Sequence, residues 1–170
     1  MDCLDEESNR IKEIYAHFGL AIYCSQCLER TISFALLSVF NIDVKNTTRE
    51  MFDFELERNF KKTLGFLLKE LKERQSLNDN EELHYELVKI LYQRNWLVNH
   101  YFWDRAIQFM DKNGQVNMLN ELEEIAERFH EMDAKIIELV QDWRRTKGIS
   151  DETVQQTMDE MLSEYSRNQP

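Results

Sequence analysis

Apolar residues recur at steps of three and four along most of the chain, which places them on one face of an α-helix. This spacing predicts a first helix over residues 5–40, a second over 61–75, a third from 81 to about 110 and a fourth over 117–146. Residues 50–60 fit either a short helix or a packed loop. The inward stripe predicted for the fourth helix is Leu119, Leu122, Ile125, Phe129, Met132, Ile136, Leu139, Val140 and Trp143.

Residues that end helices are scarce, since the chain has four glycines and one proline. Long helices with short connections follow from this composition. Residues 47–50 (Thr-Thr-Arg-Glu) form a capping box, residues 78–81 form a second cap, and residues 111–114 predict a turn. We therefore predict an all-α bundle of four to five helices over residues 1–147, with an amphipathic helix and tail over 148–170.

The chain is acidic, with 32 Asp and Glu against 21 Lys and Arg, a net charge of −11 and a pI near 4.9. Such a charge repels nucleic acid at long range, which argues against a non-specific nucleic-acid binder but leaves room for a small basic cleft. The first residues are acidic where a secretory signal is basic. The longest apolar run, Thr31–Phe40, is too short to span a membrane, so we expect a cytoplasmic protein with no membrane contact.

Residues 94–102, Arg-Asn-Trp-Leu-Val-Asn-His-Tyr-Phe, combine an arginine and a histidine inside a helical pattern. Arginine is always charged and binds phosphate through two parallel N–H groups. Histidine is the side chain best suited to transfer a proton near neutral pH. Arg94 and His100 thus predict metal-independent cleavage of RNA, in which the histidine takes the 2′-hydroxyl proton and the arginine holds the phosphate.

The spacing of these residues sets a geometric condition on such a site. In a straight helix Asn99 lies 140° and His100 lies 120° around the axis from Arg94. Long side chains, a kink, or a homodimer in which two copies of the helix face each other are the three ways to bring the groups together. The neighbouring aromatics Tyr101 and Phe102 are candidates for stacking on a base, or for the core.

The Arg-Asn-x-Leu-Val segment followed by a histidine and two aromatics resembles the signature of HEPN domains. The stretch Asn59–Gly65 is similar to the segment that precedes that signature in small bacterial members, and the likeness covers residues 10–145. The resemblance implies a homodimeric helical bundle acting as an endoribonuclease of the toxin or defence kind. RNA, and an antitoxin or another protein, are the partners it implies.

The resemblance also assigns roles to single residues. Arg94 is expected to bind the scissile phosphate and His100 to act as general base, leaving a 2′,3′-cyclic phosphate. Asn95 is expected to orient one of the two, and Asn99 to bind the RNA backbone or the other subunit. Tyr101 supports the site. No cofactor or metal is expected.

Two other functions stay open. Asn99 stands where HEPN members commonly have histidine, which together with the acidic charge favours a non-catalytic regulatory or protein-interaction module. Two Glu-x-x-His pairs, Glu81 with His84 and Glu127 with His130, have the spacing of ligands in di-iron bundles, although the surrounding pattern is that of a solvated face.

The Cys-x-x-Cys pair at Cys24 and Cys27 lies in the middle of the first predicted helix. Redox motifs of this form normally lie where a strand meets a helix, and no second pair is present to complete a zinc site. We therefore predict two reduced, metal-free thiols packed as small hydrophobic residues.

Overall fold

The computed structural model of the chain describes residues 3–40, 48–60, 62–73 and 81–146, and isolated positions between 148 and 167. Within these residues the backbone is almost entirely helical and forms no strand, so the predicted all-α class is confirmed. The helices are α1 (Cys3–Phe40), α2 (Arg49–Phe60), α3 (Leu64–Glu73), α4 (Glu81–Asn99), α5 (Tyr101–Asp104), α6 (Ala106–Phe109) and α7 (Lys112–Thr146).

The two longest helices, α1 and α7, lie side by side and run parallel. Arg10 near the start of α1 donates from Nε to Gln115 Oε1 at 3.0 Å near the start of α7. Towards their ends, Phe34 and Ile137 line one cavity. Helix α4 is antiparallel to α7, and α3 packs on α1 and α4. The result is a helical bundle, in which α4 lies against both long helices.

The core lies along the seam of this bundle and follows the predicted stripes closely. In α7 the residues Met118, Leu122, Ile125, Phe129, Met132, Ile136 and Val140 are buried. The inward prediction for Leu139 is wrong, because its side chain is 45% exposed. Leu139 lies about 100° around the helix from Val140, and Ile136 and Val140 fill the inward positions on either side of it.

The structure resolves one stretch that the sequence left open and corrects two predicted helix boundaries. Residues 49–60 are a helix, which settles the ambiguity of that stretch. The predicted turn over residues 111–114 is wrong, because α7 already begins at Lys112 and the side chain of Asp111 accepts from the Gly114 N–H at 2.9 Å. The third predicted helix does not continue to residue 110; it ends at Asn99 and is followed by the short helices α5 and α6.

Helix ends follow the local sequence where the structure describes them. Thr48 precedes α2, and its hydroxyl accepts from the Met51 N–H at 3.3 Å. Gly148, after α7, has a positive φ of 72°, a conformation that glycine adopts without strain. The predicted connection at 41–46, the cap at 78–80 and the apolar face of the last helix lie outside the described residues.

Among the described residues, none of the helices combines the length and the apolar character needed to cross a lipid bilayer.

Candidate functional site

Arg94 lies on the side of α4 that faces α1 and is half-buried there. Its Nη2 is 2.9 Å from Glu29 Oε1 of α1, and the two side chains are 30% and 25% exposed. Its Nη1 donates to Asn95 Oδ1 at 3.1 Å. The guanidinium is therefore held between its own helix and α1, with part of its surface open to solvent.

The contact between Arg94 and Glu29 is an ion pair without good hydrogen-bond geometry. Glu29 Oε1 and Arg94 Nε are both buried, and neither has a hydrogen-bond partner among the described residues. Buried polar atoms in folded proteins are nearly always paired, so this pair leaves hydrogen-bonding capacity unused. Nothing in the sequence near Arg94 points to Glu29; only the packing of α1 on α4 brings the two together.

Asn95 and Asn99 are exposed and lie one helical turn apart. The Asn99 side-chain amide donates to the Asn95 carbonyl at 2.8 Å. This is a bond from a side chain back to the carbonyl four residues earlier, which polar residues on a helix surface commonly form. The side-chain oxygen of Asn99 accepts no hydrogen bond within the described part of the chain.

His100 is the residue at which α4 breaks. Its φ of −131° and ψ of −14° depart from helical values, while its N–H still donates to the Trp96 carbonyl at 2.8 Å. The Asp104 N–H donates to the His100 carbonyl at 2.9 Å, so helical hydrogen bonding resumes directly after the bend at His100. The imidazole is exposed, and within the described residues it forms no hydrogen bond or ion pair.

The bend at His100 is braced from both sides. Trp96 Nε1, before the bend, donates to Asp104 Oδ2, after it, at 2.7 Å. The Arg105 guanidinium lies 5.0 Å from the centre of the Trp96 ring and binds both carboxylate oxygens of Glu121 on α7, at 2.8 and 2.6 Å. The hydrogen bonds to Glu121 raise the pKa of Arg105. His100 is therefore carried by a segment that is fixed to α7.

Tyr101 belongs to the core, being 1% exposed. Its hydroxyl donates to the Met118 carbonyl at 3.3 Å, and burial, reinforced by the charge of Glu121, raises the pKa of its phenol. A ring enclosed in this way has no free face for a base, so the stacking considered for Tyr101 is not possible in this structure. Because Tyr101 directly follows His100, burial of its ring holds the backbone beside the histidine in place.

A cavity of about 270 Å³ lies between α4 and α7, and two of the cations in its wall are ion-paired, Lys135 with Glu86 at 2.8 Å and Arg128 with Glu124 at 3.6 Å. Its lining includes Lys89 and Gln93 of α4 and Arg128 and Lys135 of α7, together with two glutamates. His100 is seven residues after Gln93, so it follows on the same helical face, about 10 Å further along the axis. Arg94 points to the other side, towards α1.

A fully exposed apolar stripe follows the bend. Trp103 on α5, Ile107 on α6 and Met110, directly after α6, are 85%, 83% and 86% exposed. Their spacing of four and three residues places them on one side, and the first of them is three residues after His100. This stripe could not be recognised in the sequence, because its apolar residues fit a helix core as well as a surface.

The other candidate sites do not assemble. No group of three or more metal-binding side chains occurs in the described part of the chain, and Glu81, Glu127 and His130 are exposed. Cys24 and Cys27 are half-buried free thiols. Burial, followed by the charges of Cys27 and Asp133, raises the pKa of the Cys24 thiol.

Within one chain, then, the structure joins Arg94 to Asn95 and Asn95 to Asn99, and leaves His100 without contact to any of them. Arg94 faces α1, whereas His100 follows the face that borders α7. Comparison of the chain with protein-family models, with curated proteins and with solved structures gives no match.

Proposed function

We propose that the protein is a metal-independent endoribonuclease that acts as a homodimer, with His100 as general base and Arg94 as the phosphate-binding residue. The observation that carries the proposal is the exposed, unpartnered imidazole of His100 at the bend after α4. A general base needs access to the substrate hydroxyl and a fixed position. The bend provides the access, and the brace through Trp96 and Arg105 provides the fixed position.

The opposite directions of Arg94 and His100 support a shared site. A two-fold contact between two copies of this segment places the arginine of one subunit beside the histidine of the other. The exposed stripe of Trp103, Ile107 and Met110 borders His100 and offers apolar surface for such a contact. Lys89, which lines the cavity between α4 and α7, offers a contact to the RNA backbone on the histidine side.

The test is cleavage of a single-stranded RNA in the presence of EDTA, followed by identification of the product ends. We expect 2′,3′-cyclic phosphate ends from the wild type, and a loss of about 10² to 10⁴ in rate for His100→Ala. Arg94→Ala should also lose the activity. The matched controls are His130→Ala and Arg145→Ala, which change an exposed histidine and an exposed arginine on α7.

Complementation tests the shared site directly. A mixture of Arg94→Ala and His100→Ala subunits should recover part of the activity, because the mixed dimer has one site with both residues intact. Recovery is not expected if each site lies within one chain. Full activity of His100→Ala, or a monomer at micromolar concentration by sedimentation, contradicts the proposal.

A second function, a non-catalytic interaction module of the same bundle, is favoured by one observation: the guanidinium of Arg94 is already paired with Glu29. Asn99→His separates the two functions. If the wild type cuts no RNA and this variant does, the chain has lost an ancestral activity and the module is its function. If the wild type and Asn99→His both cleave RNA, the endoribonuclease proposal is supported.

A further inference from the structure

We infer that Glu29 occupies the phosphate position of Arg94 in the free protein and is displaced when RNA binds. The inference rests on the proposed function and extends it to a residue on a different helix. Glu29 is a positioning residue in this account, since it acts on RNA only through Arg94.

The first support is the chemistry of the pair. A carboxylate and a phosphate group present the same kind of charged oxygen to a guanidinium. Glu29 Oε1 lies 2.9 Å from Arg94 Nη2, the distance at which a phosphate oxygen binds arginine. The carboxylate therefore occupies part of the surface that a phosphate would need.

The second support is that the pair is poorly satisfied. Glu29 Oε1 and Arg94 Nε are buried without hydrogen-bond partners, so charge alone holds the contact. By contrast Arg105 donates two hydrogen bonds to Glu121, although these two side chains are 27% and 29% exposed and thus similar to Arg94 and Glu29. An anion with better geometry competes with Glu29 far more easily than with Glu121.

The third support is the exposure of the pair. With 30% of the Arg94 side chain and 25% of the Glu29 side chain open, a phosphate can approach without unfolding of the bundle. Once a phosphate binds, the carboxylate lies roughly 6 Å from it and repels it. Removal of that repulsion is expected to tighten binding about three- to tenfold at effective dielectric constants between those of protein and water.

The experiment measures binding of a fluorescent single-stranded RNA, fully 2′-O-methylated to prevent cleavage, to the full chain over a series of salt concentrations. Glu29→Gln should bind about three- to tenfold more tightly than the wild type. Its plot of log affinity against log salt should be steeper by up to about 0.7, because the wild type exchanges one ion pair for another while the variant gains a phosphate contact. A purely structural effect of the substitution leaves this slope unchanged.

Two controls assign the effect to Arg94. In an Arg94→Ala background, Glu29→Gln should have no effect on affinity or slope. Glu55→Gln removes one negative charge from the ion pair with Arg58 on α2, where the carboxylate is 32% exposed, and it should leave RNA binding within twofold of the wild type. Glu29→Asp keeps the charge on a shorter side chain and should tighten binding by less than Glu29→Gln. If Glu29→Gln does not fold, Glu29→Asp replaces it as the test variant.

The inference is overturned if Glu29→Gln binds RNA no better than the wild type, if the effect persists without Arg94, if Glu55→Gln tightens binding equally, or if no variant binds RNA. Its failure is distinct from that of the nuclease. If Glu29→Gln binds RNA more tightly but the wild type does not cleave unmodified RNA, the role of Glu29 is supported and the proposed endoribonuclease activity is contradicted. If cleavage requires Arg94 but Glu29→Gln binds RNA no more tightly, the endoribonuclease activity is supported and the role of Glu29 is contradicted.

Discussion

Gly114→Ala is expected to destabilise the fold strongly, because α6 crosses the start of α7 at this glycine. A Cβ at position 114 would lie 2.3 Å from the Gln108 carbonyl oxygen and 2.6 Å from Gln108 Cα. Both atoms belong to the backbone and cannot rotate away. They are also tied down, since the Asp111 N–H donates to that same carbonyl at 3.1 Å and Gln115 Nε2 donates to the Phe109 carbonyl at 3.0 Å.

The expected magnitude follows from two opposing effects. Overpacking costs about 1–3 kcal/mol, and a contact with fixed backbone belongs at the upper end of that range. Alanine recovers about 0.5–1 kcal/mol relative to glycine through its helix propensity. A net loss of about 2 kcal/mol in the free energy of unfolding lowers the melting temperature of a chain of this length by roughly 4–8 °C.

Gly19→Ala is the matched control, since Gly19 is an exposed glycine of α1 and a Cβ there meets nothing within 4 Å. This variant should gain about 0.5–1 kcal/mol. Urea unfolding followed by far-UV circular dichroism gives both free energies, with equal m-values as the sign that the unfolded states match. A Gly114→Ala protein as stable as the wild type, or stabilised like Gly19→Ala, refutes the reasoning.

Two further predictions concern titrating groups. Because burial raises the pKa of Tyr101, whose ordinary value is about 10, the folded state keeps its proton where the unfolded chain loses it. The stabilisation that the protonated phenol contributes is complete below about pH 10 and is lost as the pH rises above it. The urea midpoints measured at pH 9 and pH 11 should therefore differ less for Tyr101→Phe than for the wild type. An equal difference in the two proteins contradicts this prediction. Burial raises the pKa of the Cys24 thiol, so iodoacetamide at pH 8 should modify Cys24 more slowly in the native protein than in urea. Peptide mass spectrometry follows the modification, and equal rates in the two conditions contradict the prediction.

The sequence predicted the helices well because each has a long apolar stripe. α1 and α7 bury residues such as Ile14 and Phe129 at steps of three and four, a spacing that fits a helix and not a strand. The errors lie where a local signal competed with packing. Residues 111–114 have the composition of a turn, yet Asp111 acts as a helix cap and Gly114 permits close approach of α6.

The candidate site was predictable only in part. Arg94, Asn95, Asn99 and His100 are neighbours in sequence, so their chemistry was visible as a motif. The partner of Arg94 was not, because Glu29 is 65 residues away and its contact depends on the rotation of α1 against α4. Neither could the spacing show that the helix bends at His100, since a residue's φ and ψ at a break are set by tertiary packing.

Directly after the bend, the motif enters an aromatic cluster. Tyr101 and Phe102 are consecutive, and both pack inward, where their rings contact Phe18 of α1 at 5.9 and 4.9 Å between centres. Tyr101 is buried and Phe102 is partly buried, whereas His100, where φ departs from helical values, keeps its imidazole exposed. Because Tyr101 directly follows His100, the position of the exposed imidazole depends on a residue of the core.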